Sequence, residues 1–148
     1  MHIAVCGQKG VGKSTFIATV NGKKKEDVGR RNQEGRMVWY EISTAAENKE
    51  VGTGMFAFDA VVMLFEGDGV DERVMRGAVE FGVPVFLVRT KADLLGKRRE
   101  EVAEGKVYYV GGLGGEKEEK GDKRFDGKIL VAGICTAVMG RFEEVKQK

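Results

Sequence analysis

Short apolar runs alternate along the chain with polar, glycine-containing stretches, and this alternation predicts the order of the secondary structure. Five runs predict strands: residues 2–6, 36–42, 58–65, 83–88 and 106–110. Four segments predict helices: residues 14–21, 70–81, 94–104 and 125–145. Strands that alternate with helices predict an α/β fold, in which a mostly parallel sheet is covered by helices on both faces. We expect these three layers to form a single domain over residues 1–148.

The inner faces of two helices follow from the spacing of their apolar residues. Phe16, Ile17 and Val20 would form the buried face of the first helix. The stripe predicted for the second helix is Val70, Val74, Ala78 and Phe81. Residues 23–35 are polar and basic around a single aliphatic residue, Val28, and predict a weak edge strand or a loop. We expect the lysines of this segment to be solvated rather than to form a binding patch.

Composition narrows the class of protein. The 148 residues are 42% hydrophobic and 32% charged, and the net charge of +2 is too small to indicate nucleic-acid binding. No apolar run approaches the roughly 20 residues that a transmembrane helix needs. The N-terminus leads directly into a strand, which leaves no room for a signal peptide and predicts a cytoplasmic protein. Cys6 and Cys135 lie in apolar runs and are expected to be buried free thiols.

The strongest motif lies between the first strand and the first helix. Residues 7–14, GQKGVGKS, match the phosphate-binding pattern G-x-x-x-x-G-K-[ST]. The glycines let successive backbone N–H groups point inward at a polyphosphate, and the following helix adds its positive N-terminal dipole. Lys13 would reach the β- and γ-phosphates, and the Ser14 hydroxyl would bind Mg²⁺. The residues predicted to bind nucleotide here are Gly7, Gly10, Val11, Gly12, Lys13, Ser14 and Thr15.

A second motif, TKAD at residues 90–93, follows the strand predicted at 83–88. The Asp93 carboxylate would accept hydrogen bonds from N1–H and the 2-amino group of guanine, a pair of donors that adenine lacks. The Lys91 stem would lie along the face of the base. Because the carboxyl ends of parallel strands meet at one edge, this motif, the phosphate loop and residues 111–113 would converge on one ligand. The alternative is a polar helix start in which Asp93 supports the helix dipole.

With both motifs in this order, the chain resembles the Ras-like class of P-loop GTPase domains. The matching residues are Gly7, Gly12, Lys13 and Ser14 in the phosphate loop and Thr90, Lys91 and Asp93 in the base motif. The resemblance implies GTP or GDP as the ligand, with backbone contacts to guanine from Gly112 and Leu113, which fall where the class has S-A-K or S-A-L. Residues 3–22 and 88–93 are similar to the interferon-inducible, or immunity-related, GTPases. The short span between Lys13 and the second strand is similar to the small GTPases of bacterial microcompartment operons.

The chain departs from this class in the two segments that sense the third phosphate. Where the class has D-x-x-G, residues 41–44 read EIST. Glu41 would act as a longer carboxylate near Mg²⁺, so the predicted metal ligands are Ser14 and Glu41, but no glycine stands at Thr44. Residues 20–38 contain no threonine or serine to act as the switch threonine. We therefore expect a guanine-nucleotide-binding protein that is a slow or conditional GTPase.

Two other functions stay open. A small-molecule kinase begins with a similar loop but needs lid arginines for the transferring phosphate, and Arg98-Arg99 is the pair placed most like them. A degenerate domain would keep nucleotide for stability and act as an interaction module. Residues 129–140 are apolar on every side, which predicts either a helix that exposes small residues or a contact with a second copy or another protein.

Overall fold

The computed structural model describes residues 1–20, 37–67, 69–90, 107–109 and 127–146. Within these residues the chain forms a five-stranded sheet, three α-helices and a short 3₁₀ helix at Met55–Ala57. The strands are β1 (His2–Gly7), β2 (Val38–Ser43), β3 (Ala60–Phe65), β4 (Val85–Arg89) and β5 (Val107–Tyr109). The helices are α1 (Lys13–Val20), α2 (Glu72–Glu80) and α3 (Gly127–Lys146).

The sheet is parallel throughout, with the strand order β2-β1-β3-β4-β5. β1 pairs with a strand on each side, so that Ile3 lies opposite Trp39 of β2 and Ala60 of β3. The side chains of residues 3–6 are 0% exposed. A strand buried on both faces needs a continuous apolar sequence, which is why this run does not alternate with polar residues. All five strands end at the same edge of the sheet.

Helices cover both faces of the sheet. On one face, α1 and α3 place Phe16 and Ile134 in a core with the inward residues of β1, β3 and β4. On the other face, Val74 of α2 and Met55 of the 3₁₀ helix pack against the opposite residues of β1 and β3. The predicted three-layer α/β arrangement is therefore confirmed.

Helix α3 is buried on one face only. Leu130, Ile134 and Val138 recur at helical spacing and are at most 1% exposed, whereas Met139 and Phe142 are 58% and 51% exposed. The apolar helix predicted at this place is therefore not enclosed on all sides by the described part of its own chain. A contact through its exposed side stays a proposal.

Several element boundaries differ by one or two residues from those that the sequence predicts, and one predicted buried residue differs. β3 begins at Ala60, two residues later than predicted and after the 3₁₀ helix. α2 begins after Asp71, whose side chain caps it by accepting from Arg73 N at 2.9 Å. The helix ends at Glu80, and the prediction that Phe81 belongs to the buried stripe is wrong. Phe81 is 40% exposed because it lies past the helix end, where Gly82 has a φ of +61° and turns the chain.

The elements predicted at residues 23–35, 94–104 and 114–124 lie outside the described residues. In the part of the chain that the structure describes, no helix is both long and apolar enough to cross a membrane.

Candidate functional site

The loop at residues 7–14 joins the carboxyl end of β1 to the start of α1. Gly10 and Gly12 have φ angles of +83° and +97°, which glycine adopts more readily than any other residue. Gly7 has no room for a side chain, because a Cβ there would lie 2.7 Å from Val11 Cγ1 and 2.8 Å from Leu64 O. Each of these three loop glycines therefore stands where glycine is required, either by its φ angle or by lack of room for a side chain.

The Lys13 ammonium lies against the backbone of this loop. Its Nζ donates to Gly7 O at 3.0 Å and to Gln8 O at 2.9 Å. Burial lowers the pKa of Lys13, and the carboxylate of Glu41 acts against this by favouring the charged form. The ammonium is partly removed from water, and its third N–H is available for another hydrogen bond. An anionic ligand that accepts this bond would stabilise the charged form.

Cys6 comes directly before the loop and is fully buried. Burial is the largest cause that raises the pKa of its thiol to about 12, and the charge of Asp71 adds to the increase. The Cys6 thiol is therefore neutral near pH 7 and is not activated as a nucleophile. Both cysteines are free, as predicted, but Cys135 is only half-buried because it lies beside the buried stripe of α3.

The end of β2 runs alongside the loop. Its last residue, Ser43, pairs with Gly7, and Thr44 N donates to Gly7 O at 3.1 Å. Glu41 pairs with a residue two positions earlier in β1 and lies near enough to Lys13 to influence its pKa. Alternate residues of a strand share a face, so Glu41 and Ser43 lie on the same side of the sheet. Sequence reasoning missed Ser43 as a site residue, because only the strand register places it opposite the first loop glycine.

Thr90 is the residue of the predicted base motif that the structure describes. It follows β4 directly and is 3% exposed. Its N and Oγ1 both donate to Phe65 O, at 3.0 and 3.3 Å, so the end of β4 is tied to the end of β3. These bonds fix Thr90, the first residue of the motif, at the carboxyl edge of the sheet. The other predicted base-site residues, Lys91, Asp93, Gly112 and Leu113, lie outside the described residues.

A cavity of about 620 Å³ opens beside the first half of the loop. Its walls are residues 8–11, 63–66 and 69–73, with Thr44. Arg73 on this wall forms an ion pair with Asp71, with 2.7 Å between Nη2 and Oδ2. The hydrogen bond from Arg73 is the main cause that lowers the pKa of Asp71, and the pKa of Arg73 is raised in turn. Both groups therefore stay charged around neutral pH.

The groups that would hold a metal ion are few. Ser14 and Thr15 lie half-buried in the first turn of α1. Across the described ranges, no three His, Cys, Asp or Glu side chains come together in a way that would hold a metal ion. Mg²⁺ at Ser14 and Glu41 would therefore need further oxygen ligands, and in phosphate-binding enzymes these come from the phosphates and from water.

The fold and the loop together define the class of protein. A parallel α/β sheet whose buried strand leads through a glycine loop and a lysine into a helix is the P-loop NTPase fold, as the sequence predicts. Among the solved structures that match the chain is the crystal structure of a probable GTP-binding protein engB. The two chains are 18% identical, with a TM-score of 0.46, and the match covers 68% of this chain and 73% of that chain. No protein-family model and no curated protein matches the chain.

Gly7→Ala tests how tightly the loop packs on β3. The added Cβ would clash with Val11 and Leu64 O, so we expect the free energy of unfolding to fall by about 1–3 kcal/mol. Gly54→Ala is the matched control, because no atom lies within 4 Å of its Cβ position and its φ is −93°. We expect the control to change stability by less than about 1 kcal/mol. Urea unfolding, followed by the fluorescence of the single tryptophan, Trp39, measures both, and equal stabilities would contradict the close contact.

Proposed function

We propose that the protein binds GTP and GDP at the carboxyl edge of its sheet. The observation that carries this proposal is the loop at residues 7–14. Gly10 and Gly12 have positive φ angles, which are typical of glycine loops that point N–H groups at a phosphate, and Lys13 holds its ammonium against the same loop. Inward N–H groups, a helix N-terminus and a cation together suit a polyphosphate.

The preference for guanine rests on the motif at residues 90–93. Thr90 is fixed to Phe65 O, which supports a base site at the same edge as the phosphate loop. The Asp93 carboxylate would accept two charge-assisted hydrogen bonds from guanine, each worth about 1.5–3 kcal/mol. Lys91 would cover one face of the base.

The proposal includes Mg²⁺, held by Ser14 directly and by Glu41 through water. The ion would neutralise charge between the β- and γ-phosphates. The influence of Glu41 on the pKa of Lys13 supports its nearness to this region. The last residue of β2 is Ser43, which offers a neutral hydroxyl and no carboxylate. We infer slow intrinsic hydrolysis, because phosphoryl transfer depends almost entirely on positioning and charge stabilisation.

A second candidate function is phosphate transfer to a small molecule. The observation that favours it is the cavity of about 620 Å³ beside residues 8–11, which lies within the roughly 300–1,000 Å³ typical of small-molecule sites. Charged side chains such as Arg73 line it and would suit a polar acceptor. The candidate lid arginines, Arg98 and Arg99, lie outside the described residues. Nucleotide competition separates the two functions, since a site that binds ATP as well as GTP would favour the kinase.

A third candidate is an interaction module that keeps nucleotide for stability. The exposed side of α3 favours it, because Met139 and Phe142 are both more than half exposed and lie one turn apart. This face would contact a second copy of the chain or another protein. Sedimentation at increasing protein concentration tests the homodimer, and a constant monomer mass would exclude it.

Lys13→Ala should weaken nucleotide binding by roughly 10²-fold. The lysine supplies the main side-chain charge at the loop, and a hydrogen bond to a charged group contributes about 1.5–3 kcal/mol. Lys146→Ala removes the same charge from the exposed end of α3, C-terminal to Arg141, which bonds to Asp59 O at the opposite edge of the sheet, and serves as the control. Titration with a fluorescent guanine nucleotide measures both variants. Unchanged affinity in a folded Lys13→Ala protein would remove the phosphate loop from the proposal.

Asp93→Asn should change the preferred base from guanine to xanthine. The substitution replaces one acceptor with a donor, and xanthine carries a carbonyl where guanine carries its 2-amino group. Competition between GTP, ATP and XTP for the two proteins measures the change. A variant that still prefers GTP would exclude Asp93 as the base-reading residue.

The unassisted protein should hydrolyse GTP slowly and bind GDP and GTP with similar affinity. We expect turnover on the order of 10⁻⁴ s⁻¹ or below, as in other GTPases without an activating protein. The affinities should be similar because residues 20–38 contain no threonine to act as the switch threonine, and Thr44 stands where the class has a glycine. Phosphate release and equilibrium titration measure the two quantities. Turnover of ~1 s⁻¹, or a hundredfold preference for GTP, would contradict both expectations.

A further inference from the structure

The segment after β2 is fastened to α2 by one arginine. We refer to residues 44–57 as the β2 loop. Arg73, in the first turn of α2, donates from Nη2 to Thr44 O at 2.9 Å and from Nη1 to Asn48 O at 3.1 Å. Nε and Nη2 donate to the two oxygens of Asp71, at 3.1 and 2.7 Å. Because the guanidinium is planar and one edge is held by a carboxylate, its other donors have a fixed direction.

A contact between two glycines brings the β2 loop onto the same helix. A Cβ on Gly77 of α2 would overlap Gly52 O, and a Cβ on Gly52 would lie 2.5 Å from Arg73 O. The backbones approach this closely because neither residue has a side chain. Val51 and Met55, on either side of Gly52, are 5% and 2% exposed and belong to the core beneath α2. The loop is therefore attached through its ends and its middle.

The first N–H groups of the β2 loop are already used within the protein. Thr44 N donates to Gly7 O at 3.1 Å, and Ala45 N donates to Ser43 Oγ at 3.3 Å. A loop that senses a phosphate has to turn N–H groups toward it. With Arg73 holding the carbonyls of Thr44 and Asn48, the backbone between them cannot turn without losing hydrogen bonds to a charged group.

We propose that Arg73 is a positioning residue that holds the β2 loop in one conformation, so that Thr44 presents a fixed wall to the cavity and GDP and GTP meet the same loop conformation. This inference rests on the proposed function. It assigns to Arg73 the similar affinity that we expect for GDP and GTP. If the loop has a single conformation, the third phosphate has no second conformation to favour. GTP then cannot shift the loop in a way that GDP does not. Once released, the loop gains conformations, and those whose N–H groups reach the third phosphate are stabilised by GTP alone.

Hydrogen exchange of the nucleotide-free protein tests the fastening without any ligand. Arg73→Lys keeps the charge but loses the planar fork, and Arg76→Lys makes the same change at an exposed position of the same helix. We expect amides of the β2 loop to exchange about tenfold faster in Arg73→Lys and unchanged in Arg76→Lys. Gly77→Ala is an independent second variant, because its clash with Gly52 O displaces the loop while every charge stays in place. Unchanged loop exchange in both test variants would overturn the proposal.

Affinities for GDP and a non-hydrolysable GTP analogue test what the fixed wall does. The wild type and Arg76→Lys should bind both within about threefold, with the same loop exchange in either complex. Arg73→Lys and Gly77→Ala should shift the affinity ratio toward the triphosphate by about threefold or more. A ratio that stays at the wild-type value once the loop exchanges faster would overturn the role of Arg73 in discrimination. If the wild type binds neither nucleotide, the proposed function fails, whereas the exchange experiment still decides whether Arg73 fastens the loop.

Discussion

The burial of β1 on both faces determines where the site can lie. Residues 3–6 are fully enclosed between two layers of helices, so the strand has no free face to carry functional groups. Functional groups can therefore lie only beyond its carboxyl end. Because the strands are parallel, the carboxyl ends of β2 and β3 lie at the same edge. Gly7 lies so close to β3 that a Cβ there would be 2.8 Å from Leu64 O, so the packing of the strands already positions the first residue of the loop.

The same packing restricts movement around the site. Thr44 N donates a hydrogen bond to Gly7 O, and Thr90 donates to Phe65 O. Arg73 holds the β2 loop against α2. Among the residues that the structure describes, these three segments at the candidate site are each tied to a neighbouring strand or helix. A preorganised site binds well because little conformational entropy is lost when the ligand arrives. Rigidity has a second consequence, since a site with one conformation cannot transmit which of two ligands it holds.

Sequence reasoning recovered the features that depend on neighbouring residues. The glycines of residues 7–14 and the apolar run of β1 follow from local backbone and burial requirements, and they predicted the fold and the phosphate loop. It missed features that depend on distant contacts. Asp71 has the recognisable position of a helix cap, but Arg73 reaches Thr44 and Asn48 across 29 and 25 positions of sequence. Phe81 has helical spacing, yet the turn at Gly82 removes it from the helix.

A nucleotide that is bound equally well with two or three phosphates acts on the protein through stability. A ligand that binds only the folded chain stabilises it by RT ln(1 + [L]/Kd), about 2.7 kcal/mol at a hundred times Kd. In a site with fixed walls, GDP and GTP make the same contribution at the same occupancy, so hydrolysis leaves the folded state as stable as before. The slow hydrolysis that we propose would then leave the stability contributed by the nucleotide unchanged. A change of state in such a domain has to begin at the contacts that hold the walls, and Arg73 makes the hydrogen bonds that join the loop after β2 to α2.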